Sequence, residues 1–599
     1  RRKLSLGQLD YALIGNCQSS ALIDKQGRIV WACLPRFDSE AVFASLLGDE
    51  KAGVWSILPE NGDYETKQRY LQNTNVVRTE FLLKNGDRFD LIDFMPRFQE
   101  RDEYYRSPQI IRIIRPVKGN PRIKVRFQPK FNYGNVEPDV AITSEGIVYR
   151  NDSTRIYLKT DVPSTYILEN QTFELSGDRY FVLSHGEPFG HALRFGCEEF
   201  FERTTAYWRT WVKHCSIPFE YQDAVIRSAL ALKLHIFEDT GAIIAATTTS
   251  IPESPDGGRT WDYRYCWLRD AYFVINVLNR LGHFEEMERF IQYLHNIAVT
   301  EPGAELQPVY GIGGERELHE RELPWLKGFK GIGPVRVGNA AYAHAQYDVY
   351  GEMVLAVTPL FFDTRLDRID HQRAFENVRR LVDQATAAFD KPDSGIWEFR
   401  SEQKHYVFSK LMCWAAVDRG IKIANKLGVQ SEYGRWTEIR DRMRDHIENQ
   451  GWNEELGFYT QAMKGVNPDA SNLLMSAVNF HSGKDEKFRR TVEQYEKLLM
   501  NDGYLFRYKN KDDFGVPKHA FTICTFWLID ALASMGRTQE AKDVFARVLS
   551  RANHVGLLSE DVDPIGGELW GNFPQAYSHV GLMNAAYRIA KKTGYPNFF

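Results

Sequence analysis

The sequence lacks an excess of charge of either sign. Its 599 residues include 75 Lys and Arg against 79 Asp and Glu, a formal net charge of -4, and the basic residues are scattered along the chain. A nucleic-acid-binding protein normally carries a basic patch or stripe. We therefore expect no nucleic-acid partner.

Paired cysteines and long apolar runs are also missing. The seven cysteines are an odd number, widely spaced, with no C-x-x-C motif and no Cys/His cluster. This excludes a disulfide framework and a structural zinc site, and indicates free thiols in a reducing compartment. No run of eighteen apolar residues occurs, and the first seventeen residues hold no apolar run of signal-peptide length. We expect a cytoplasmic protein without a membrane partner.

Phosphate-binding signatures are absent as well. The segment 310–338 contains Gly311, Gly313, Gly314, Gly331 and Gly333, but no GxxxxGK motif and no complete GxGxxG motif after a strand. We interpret this segment as a binding loop and not as a nucleotide cradle. The sequence predicts neither a metal nor an organic cofactor.

Aromatic residues, by contrast, are abundant. They form 13% of the chain, and Trp and Tyr cluster near Gly, Asp and Glu. Two interpretations fit: ordinary core aromatics, or a pocket that stacks flat, hydroxyl-rich ligands.

The first third of the chain has the pattern of an antiparallel sheet. Short β-rich runs are separated by turn signals at 25–27, 85–86, 119–120, 145–146 and 176–177, and all five contain glycine. Asn-Gly and similar residue pairs between alternating apolar runs are the strongest local signal for hairpins. Residues 1–195 are predicted to form an antiparallel β-sandwich, followed by a linker helix over 196–217.

A helical period of 3.6 residues replaces this pattern from residue 218 to residue 599. Twelve apolar-striped helices are predicted, at 220–238, 266–281, 283–298, 338–357, 371–389, 408–427, 430–448, 468–480, 484–499, 520–535, 537–550 and 575–592. Long Gly- and aromatic-rich loops precede the even-numbered helices, and short links follow most of them. This alternation predicts six helical hairpins closed into an (α/α)6 barrel, with a pocket where the long loops gather. A helical solenoid is the alternative.

Two of the long loops carry candidate catalytic carboxylates. Glu398 stands between Trp397 and Phe399 in "SGIWEFR", and Glu560 opens a run of acids that includes Asp561, Asp563 and Glu568. Two carboxyl groups facing each other across a pocket are what glycoside hydrolysis requires. For each acid, a helix cap or an ion pair at the rim is the alternative.

The sequence neighbours predict different protonation states for the two acids. Aromatic neighbours should disfavour the ionised form of Glu398, which would suit a general acid. Glu560 lies in a polar, Gly-rich loop and is predicted to stay ionised, which would suit a general base. Trp267, Arg269 and Asp270 enter a helix N-terminus together, where Asp270 is either a helix cap or a ligand-binding group.

Five motifs resemble glycoside hydrolase family 15, in its bacterial and archaeal branch of glucoamylases and trehalases. They are "ALIGNCQSSALIDKQGRIVWACLPRFDSEAVFASLLG", "TWDYRYCWLRDA", "PVRVGNAAYAHAQYDVYGE", "SGIWEFR" and "LLSEDVD" with the following "WGNFPQAYSHVGL". They occur in order and span nearly the whole chain. The resemblance implies an N-terminal β-sandwich, an (α/α)6 barrel and hydrolysis of a terminal α-glucosidic bond with inversion.

The resemblance also implies roles for particular residues. Glu398 matches the general acid and Glu560 the general base, with Glu568 as the alternative base. The residues matched to sugar binding are Trp267, Arg269, Asp270, Trp397 and Tyr577, together with Arg507 in "YLFRYKN", where the spacing to the next helix differs.

The partner implied is a small carbohydrate, while oligomeric state is left open. An exo-acting hydrolase of short α-glucans is the first expectation, and an α,α-trehalase is the alternative. A disaccharide phosphorylase and an inactive sugar-binding protein remain as further classes.

Overall fold

The computed structural model describes residues 9–300, 303–366 and 370–594. Residues 1–8 of the predicted sandwich, and residues 301–302, 367–369 and 595–599 of the predicted barrel, lie outside the described residues. Within the described ranges, none of the helices combines the length and apolarity that a membrane crossing requires.

The N-terminal region is built from two antiparallel sheets and a small hairpin. Its strands in the described residues are β1 Tyr11–Gly15, β2 Ser20–Asp24, β3 Ile29–Cys33, β4 Ala41–Phe43, β5 Val54–Pro59, β6 Tyr64–Tyr70, β7 Val77–Leu83, β8 Arg88–Phe94, β9 Phe98–Glu100, β10 Glu103–Tyr105, β11 Gln109–Lys118, β12 Arg122–Gln128, β13 Asp139–Thr143, β14 Gly146–Arg150, β15 Arg155–Thr160, β16 Thr172–Glu174 and β17 Arg179–His185. One sheet has the order β1-β2-β3-β5-β12-β16, with β4 on β3, and the other has β13-β14-β15-β17-β11-β8-β7-β6.

The two sheets pack face to face, as predicted. Trp55 of β5 is fully buried and meets Phe181 of β17 with ring centroids 6.5 Å apart. Arg112 of β11 donates a hydrogen bond of 3.1 Å to the Trp55 carbonyl and pairs with Asp93 at 2.7 Å, so its buried charge is compensated. The apolar alternation along each strand therefore forms the core between the sheets.

Three of the predicted hairpin turns are confirmed, and two are wrong as hairpins. The turns at 25–27, 85–86 and 145–146 join the paired strands β2 and β3, β7 and β8, and β13 and β14. The turns at 119–120 and 176–177 instead carry the chain from one sheet to the other, because β11 and β17 lie in one sheet and β12 and β16 in the other. Turn chemistry specifies a chain reversal, whereas long-range packing selects the partner strand.

The rest of the described chain is mainly helical. Its helices, with a short one inside the sandwich region, are α1 Ser164–Leu168, α2 Leu193–Lys213, α3 Gln222–Lys233, α4 Ala271–Leu281, α5 Phe284–Thr300, α6 Val349–Val357, α7 Pro359–Phe362, α8 His371–Ala388, α9 Val407–Leu427, α10 Gln430–Gln450, α11 Glu486–Leu498, α12 Thr522–Ser534, α13 Thr538–Leu549 and α14 Ala576–Thr593. The predicted connecting helix is α2.

Six segments form a closed inner ring. Contacts run from α4 to α6, α9, the 3-10 segment Ala470–Met475, α12 and α14, and from α14 back to α4. The helices α3, α5, α8, α10, α11 and α13 pack outside this ring. The inner helices α6, α9 and α12 are buried along most of their length, as expected when each is covered on both sides. This is the double ring that the alternation of loops predicts.

Three predicted inner helices differ from the structure. The helix predicted at 468–480 is wrong, since the chain forms a 3-10 segment there, and the Asn472 side chain bonds the Tyr459 and Thr460 carbonyls. The helices predicted from 266 and 338 begin only at Ala271 and Val349. Their first residues belong to the loops at the end of the ring where the cavity lies.

Candidate active site

One cavity opens at the end of the ring where the inner helices begin. Its walls come from the loops that precede α4, α6, α9, α12 and α14. Seven of the eight predicted site residues line it: Trp267, Arg269, Asp270, Trp397, Glu398, Arg507 and Tyr577. The eighth, Glu560, is fully buried behind this wall.

Glu398 occupies a strained turn. Its φ of 61° lies in the left-handed region, which side chains other than glycine seldom adopt, and Gly395 at φ 68° begins the same turn. The turn is closed by hydrogen bonds from the Glu398 N–H to the Gly395 carbonyl at 3.1 Å and from the Phe399 N–H to the Ser394 carbonyl at 3.0 Å. The backbone therefore fixes where the Glu398 carboxylate points.

The Glu398 carboxylate faces hydrogen-bond donors. The Trp267 indole N–H donates to Oε1 at 2.8 Å, and Arg269 Nη2 lies 3.5 Å from the same oxygen. Burial alone would raise the pKa of Glu398, but Arg269, His344 and the Trp267 hydrogen bond outweigh burial and lower the pKa from its ordinary value. These surroundings favour the ionised form of Glu398, contrary to the prediction.

The flanking aromatic rings do not surround this carboxylate. The Trp397 indole turns away to donate to Asp469 at 2.9 Å, and the Phe399 ring stacks on Tyr406 at 5.3 Å. Neighbours in the sequence were thus a poor guide to the environment of Glu398.

Arg269 and Asp270 lie side by side in the cavity lining. The Arg269 guanidinium donates to the Ile396 carbonyl, and its Nε lies 4.0 Å from Asp270 Oδ1. Asp270 precedes α4, yet its side chain makes no capping hydrogen bond. Burial raises the pKa of Asp270 to about 7, against the opposing charge of Arg269. The helix-cap interpretation of Asp270 therefore does not fit.

Glu560 is held beside the first turn of α12. Its N–H donates to the Asn572 carbonyl at 3.2 Å, and its carbonyl accepts from the Thr522 N–H at 2.8 Å. The Tyr263 hydroxyl, which belongs to the cavity wall, donates to Glu560 Oε1. The Tyr263 side chain thus lies between the Glu560 carboxyl and the cavity.

The surroundings of Glu560 likewise favour its protonated form, contrary to the prediction. Burial and the nearby Glu253 raise the pKa of Glu560 to about 8, although the Tyr263 hydrogen bond and Arg507 oppose them. The loop is polar in sequence, but packing against α12 removes this carboxyl from water.

Three carboxylates approach each other at the cavity wall. Oxygen atoms of Glu253, Glu560 and Asp561 lie within 4.8 Å of one another, the one such metal-sized group in the part of the chain that the structure describes. Arg507 Nη2 pairs with Glu253 at 2.8 Å. The guanidinium therefore already supplies positive charge where a cation would otherwise be needed.

Several residues that line the cavity were not among the predicted site residues. They are Glu253, Arg259, Trp261, Tyr263, Arg400, Asp512, Asp513 and Phe514. The alternation in "TWDYRYCW" places Trp261, Tyr263 and Trp267 on one side of an extended segment. From the predicted position of Trp267, this alternation indicates Trp261 and Tyr263 as well. Glu568, the alternative base, is not among the residues that line the cavity.

Two family models match the chain. The model described as "Glycosyl hydrolases family 15" matches residues 220–587, and the model described as "Trehalase-like, N-terminal" matches residues 8–206. The first match contains every predicted site residue.

Relatives align along nearly the whole chain. The trehalase of Thermoplasma volcanium is 34% identical over 97% of this chain and 93% of its own length. The trehalase of Mycobacterium tuberculosis is 31% identical over 97% and 89%, and trehalase 1 of Sulfolobus acidocaldarius is 32% identical over 98% and 99%.

A solved structure supports the fold. A bacterial glucoamylase in complex with acarbose superposes with a TM-score of 0.70, at 14% identity, over 98% of this chain and 96% of its own. The sandwich, the closed helical ring, the family model and the full-length relatives agree: this chain is a glycoside hydrolase and belongs to glycosyl hydrolase family 15.

Proposed function

We propose that this protein is an α,α-trehalase that cleaves trehalose with inversion. The observation that carries this proposal is the set of relatives named trehalase, which are 30–34% identical over 95–98% of the chain. Of the two substrates expected from the sequence, these relatives favour trehalose over short α-glucans.

The position of each carboxyl supports its role. A general acid must touch the glycosidic oxygen, and Glu398 lines the cavity beside Arg269. A general base acts on the attacking water, and the Glu560 carboxyl reaches the cavity through the hydrogen bond that it accepts from the Tyr263 hydroxyl. We therefore assign Glu398 as the acid and Glu560 as the base, with the inner glucose against Arg269, Asp270 and Tyr577.

The reaction transfers one proton across the site. Glu398 gives its proton to the glycosidic oxygen as the C–O bond breaks, and the leaving glucose departs as the α-anomer. Water attacks the anomeric carbon from the opposite face and gives its proton to Glu560, so the second product is β-glucose. Glu398 is then ionised and Glu560 protonated.

This post-reaction state is the one that the protein groups around the two carboxyls favour. Burial and Glu253 raise the pKa of Glu560 to about 8, while Arg269, His344 and Trp267 outweigh the burial of Glu398 and lower its pKa. Before the next turnover, the proton must return from Glu560 to Glu398. One proton is shared by Glu398 and Glu560, and the mechanism thus uses the less populated arrangement, in which Glu398 holds it.

Proton NMR during hydrolysis tests the substrate and the stereochemistry together. Trehalose, maltose, isomaltose and maltotetraose are each incubated with the protein, without and with inorganic phosphate. We expect trehalose to be the best substrate and its first products to be α- and β-glucose in equal amounts, independent of phosphate. Exclusive formation of α-glucose, a requirement for phosphate, or release from maltose but not from trehalose would refute the proposal.

A further inference from the structure

A short segment crosses the mouth of the cavity. We call Asp512–Phe514 the bridge. Asp512 Oδ1 pairs with Arg259 Nη2 at 2.6 Å, and the Asp513 carboxylate accepts from the backbone N–H groups of Arg400 at 2.6 Å and Ser401 at 3.1 Å. Arg259 precedes α4 and Arg400 precedes α9, so the bridge joins two loops of the cavity wall.

Hydrogen bonds and ion pairs stabilise the bridge on both sides. Arg259 Nη2 also donates to the Gly515 carbonyl at 3.0 Å, and its side chain is largely buried. On the other side, Arg400 Nη2 lies 3.2 Å from Glu320. Buried or networked ion pairs of this kind hold their geometry better than isolated surface pairs. These contacts therefore hold the bridge in place, where it narrows the mouth of the cavity.

The bridge lies on the side where the leaving sugar departs. Arg400 follows the assigned acid Glu398 by two residues, and both line the cavity together with the bridge. The Arg269 and Asp270 side chains are only 18% and 17% exposed, whereas Phe514 of the bridge is 40% exposed. With the acid at the bond between the two sugars, an inner sugar against Arg269 and Asp270 would leave the outer sugar towards the bridge.

The residues around the bridge offer the chemistry that a pyranose needs. The Phe514 ring is 40% exposed and lies 5.0 Å from the Trp261 ring, and the Arg400 guanidinium lies 4.3 Å from the same indole. Aromatic rings provide apolar surface for a sugar face, and guanidinium N–H groups donate to hydroxyls. An exposed Phe beside an anchored Arg has no role in the core.

We infer that the bridge, with Trp261 and Arg400, forms the binding site for the leaving sugar and restricts that sugar to a single glucose unit. The site then selects a disaccharide over longer α-glucans. The inference rests on the proposed function for the identity of the disaccharide, but not for the length limit.

The test compares substrates that use or omit this site. Phe514→Ala and Asp513→Ala variants are assayed on trehalose, maltose, maltotriose and α-glucosyl fluoride, whose leaving group is only fluoride. Lys518→Ala is the matched control, because Lys518 lies on the same loop as the bridge, pairs with Asp256, and does not line the cavity. Thermal melting checks that each variant is folded.

We expect both bridge variants to lower kcat/KM for trehalose by about tenfold or more, and to change it for α-glucosyl fluoride by less than about twofold. The ratio of maltotriose to trehalose turnover should rise about tenfold, and Lys518→Ala should match the wild type. Equal losses on trehalose and the fluoride, or an unchanged length ratio in a folded variant, would overturn the inference. If the wild type cleaves maltose but not trehalose, the proposed function fails, and the maltotriose-to-maltose ratio in the same variants decides the role of the bridge.

Discussion

The indole N–H of Trp267 donates a hydrogen bond of 2.8 Å to Oε1 of Glu398. The two residues are far apart in the sequence, and the structure joins them at the wall of one cavity. The bond stabilises the ionised form of Glu398 and fixes the direction of its carboxyl group. Trp267 is thus a positioning residue for Glu398 as well as part of the wall.

Replacing Trp267 by Phe should change the pH dependence of the reaction. A hydrogen bond to a charged group contributes about 1.5–3 kcal/mol, so its loss should raise the pKa of Glu398 by about one unit or more. We expect the acidic limb of kcat/KM to move to higher pH and kcat to fall by about tenfold, measured from pH 3 to 10 on trehalose.

Trp414→Phe is the control for this substitution. Trp414 is buried in α9, and its indole nitrogen has no hydrogen-bond partner among the described residues. Its replacement by Phe should leave both limbs of the pH profile in place. A Trp267→Phe profile identical to that of wild type would contradict the positioning role.

Substitution by Gln should distinguish the assigned carboxyl groups of Glu398 and Glu560 from the neighbouring carboxyl group of Glu568. We expect Glu398→Gln and Glu560→Gln to lower kcat by about two to four orders of magnitude, with trehalose binding retained, since Gln preserves shape but transfers no proton. Glu568→Gln is the matched control, because Glu568 follows Glu560 in the same loop without lining the cavity. Steady-state kinetics and calorimetric binding measure both effects. An inactive Glu568→Gln with an active Glu560→Gln would reverse the assignment of the base.

The pH profile of the wild type should be bell-shaped and broad. Activity requires one proton shared by Glu398 and Glu560, so it is lost as pH falls through the lowered pKa of Glu398 and as pH rises through the pKa of Glu560 at about 8. Residual activity of Glu560→Gln should therefore lack the alkaline limb near pH 8. An alkaline limb that persists in Glu560→Gln and vanishes in Glu398→Gln would contradict this assignment.

Periodicity and turn chemistry were sufficient to predict the sandwich and most of the helices. The alternation of long and short loops also predicted that the loops carrying Glu398 and Asp270 meet in one cavity. Protonation states were not predictable, because the partners of Glu398 and Glu560, such as Arg269 and Glu253, come from other loops. The 3-10 segment that contains Asn472 was missed for the same reason, since its hydrogen bonds are made with a distant part of the chain.

Replacing Arg507 by Leu should destabilise the protein. Arg507 and Glu253 are buried and paired at 2.8 Å, so the substitution leaves an uncompensated carboxylate beside Glu560 and Asp561. The expected loss is about 3–5 kcal/mol in the free energy of unfolding, measured by denaturant titration. The double variant Arg507→Leu with Glu253→Gln should recover part of this loss, and the absence of any recovery would contradict the paired-charge account.

Replacing Gly395 by Ala should disturb the turn that presents Glu398. An added Cβ would lie 2.7 Å from the Tyr406 ring, and φ at this position is 68°. Gly428 provides the matched comparison, because its φ is 72° and a Cβ there would meet nothing within 4 Å. Both substitutions carry the backbone cost of a left-handed residue, about 1 kcal/mol. Only Gly395→Ala should also displace the turn, so its kcat should fall by about tenfold or more while Gly428→Ala keeps normal activity. Equal activities in the two variants, compared at matched thermal stability, would mean that the placement of Glu398 does not depend on this close contact.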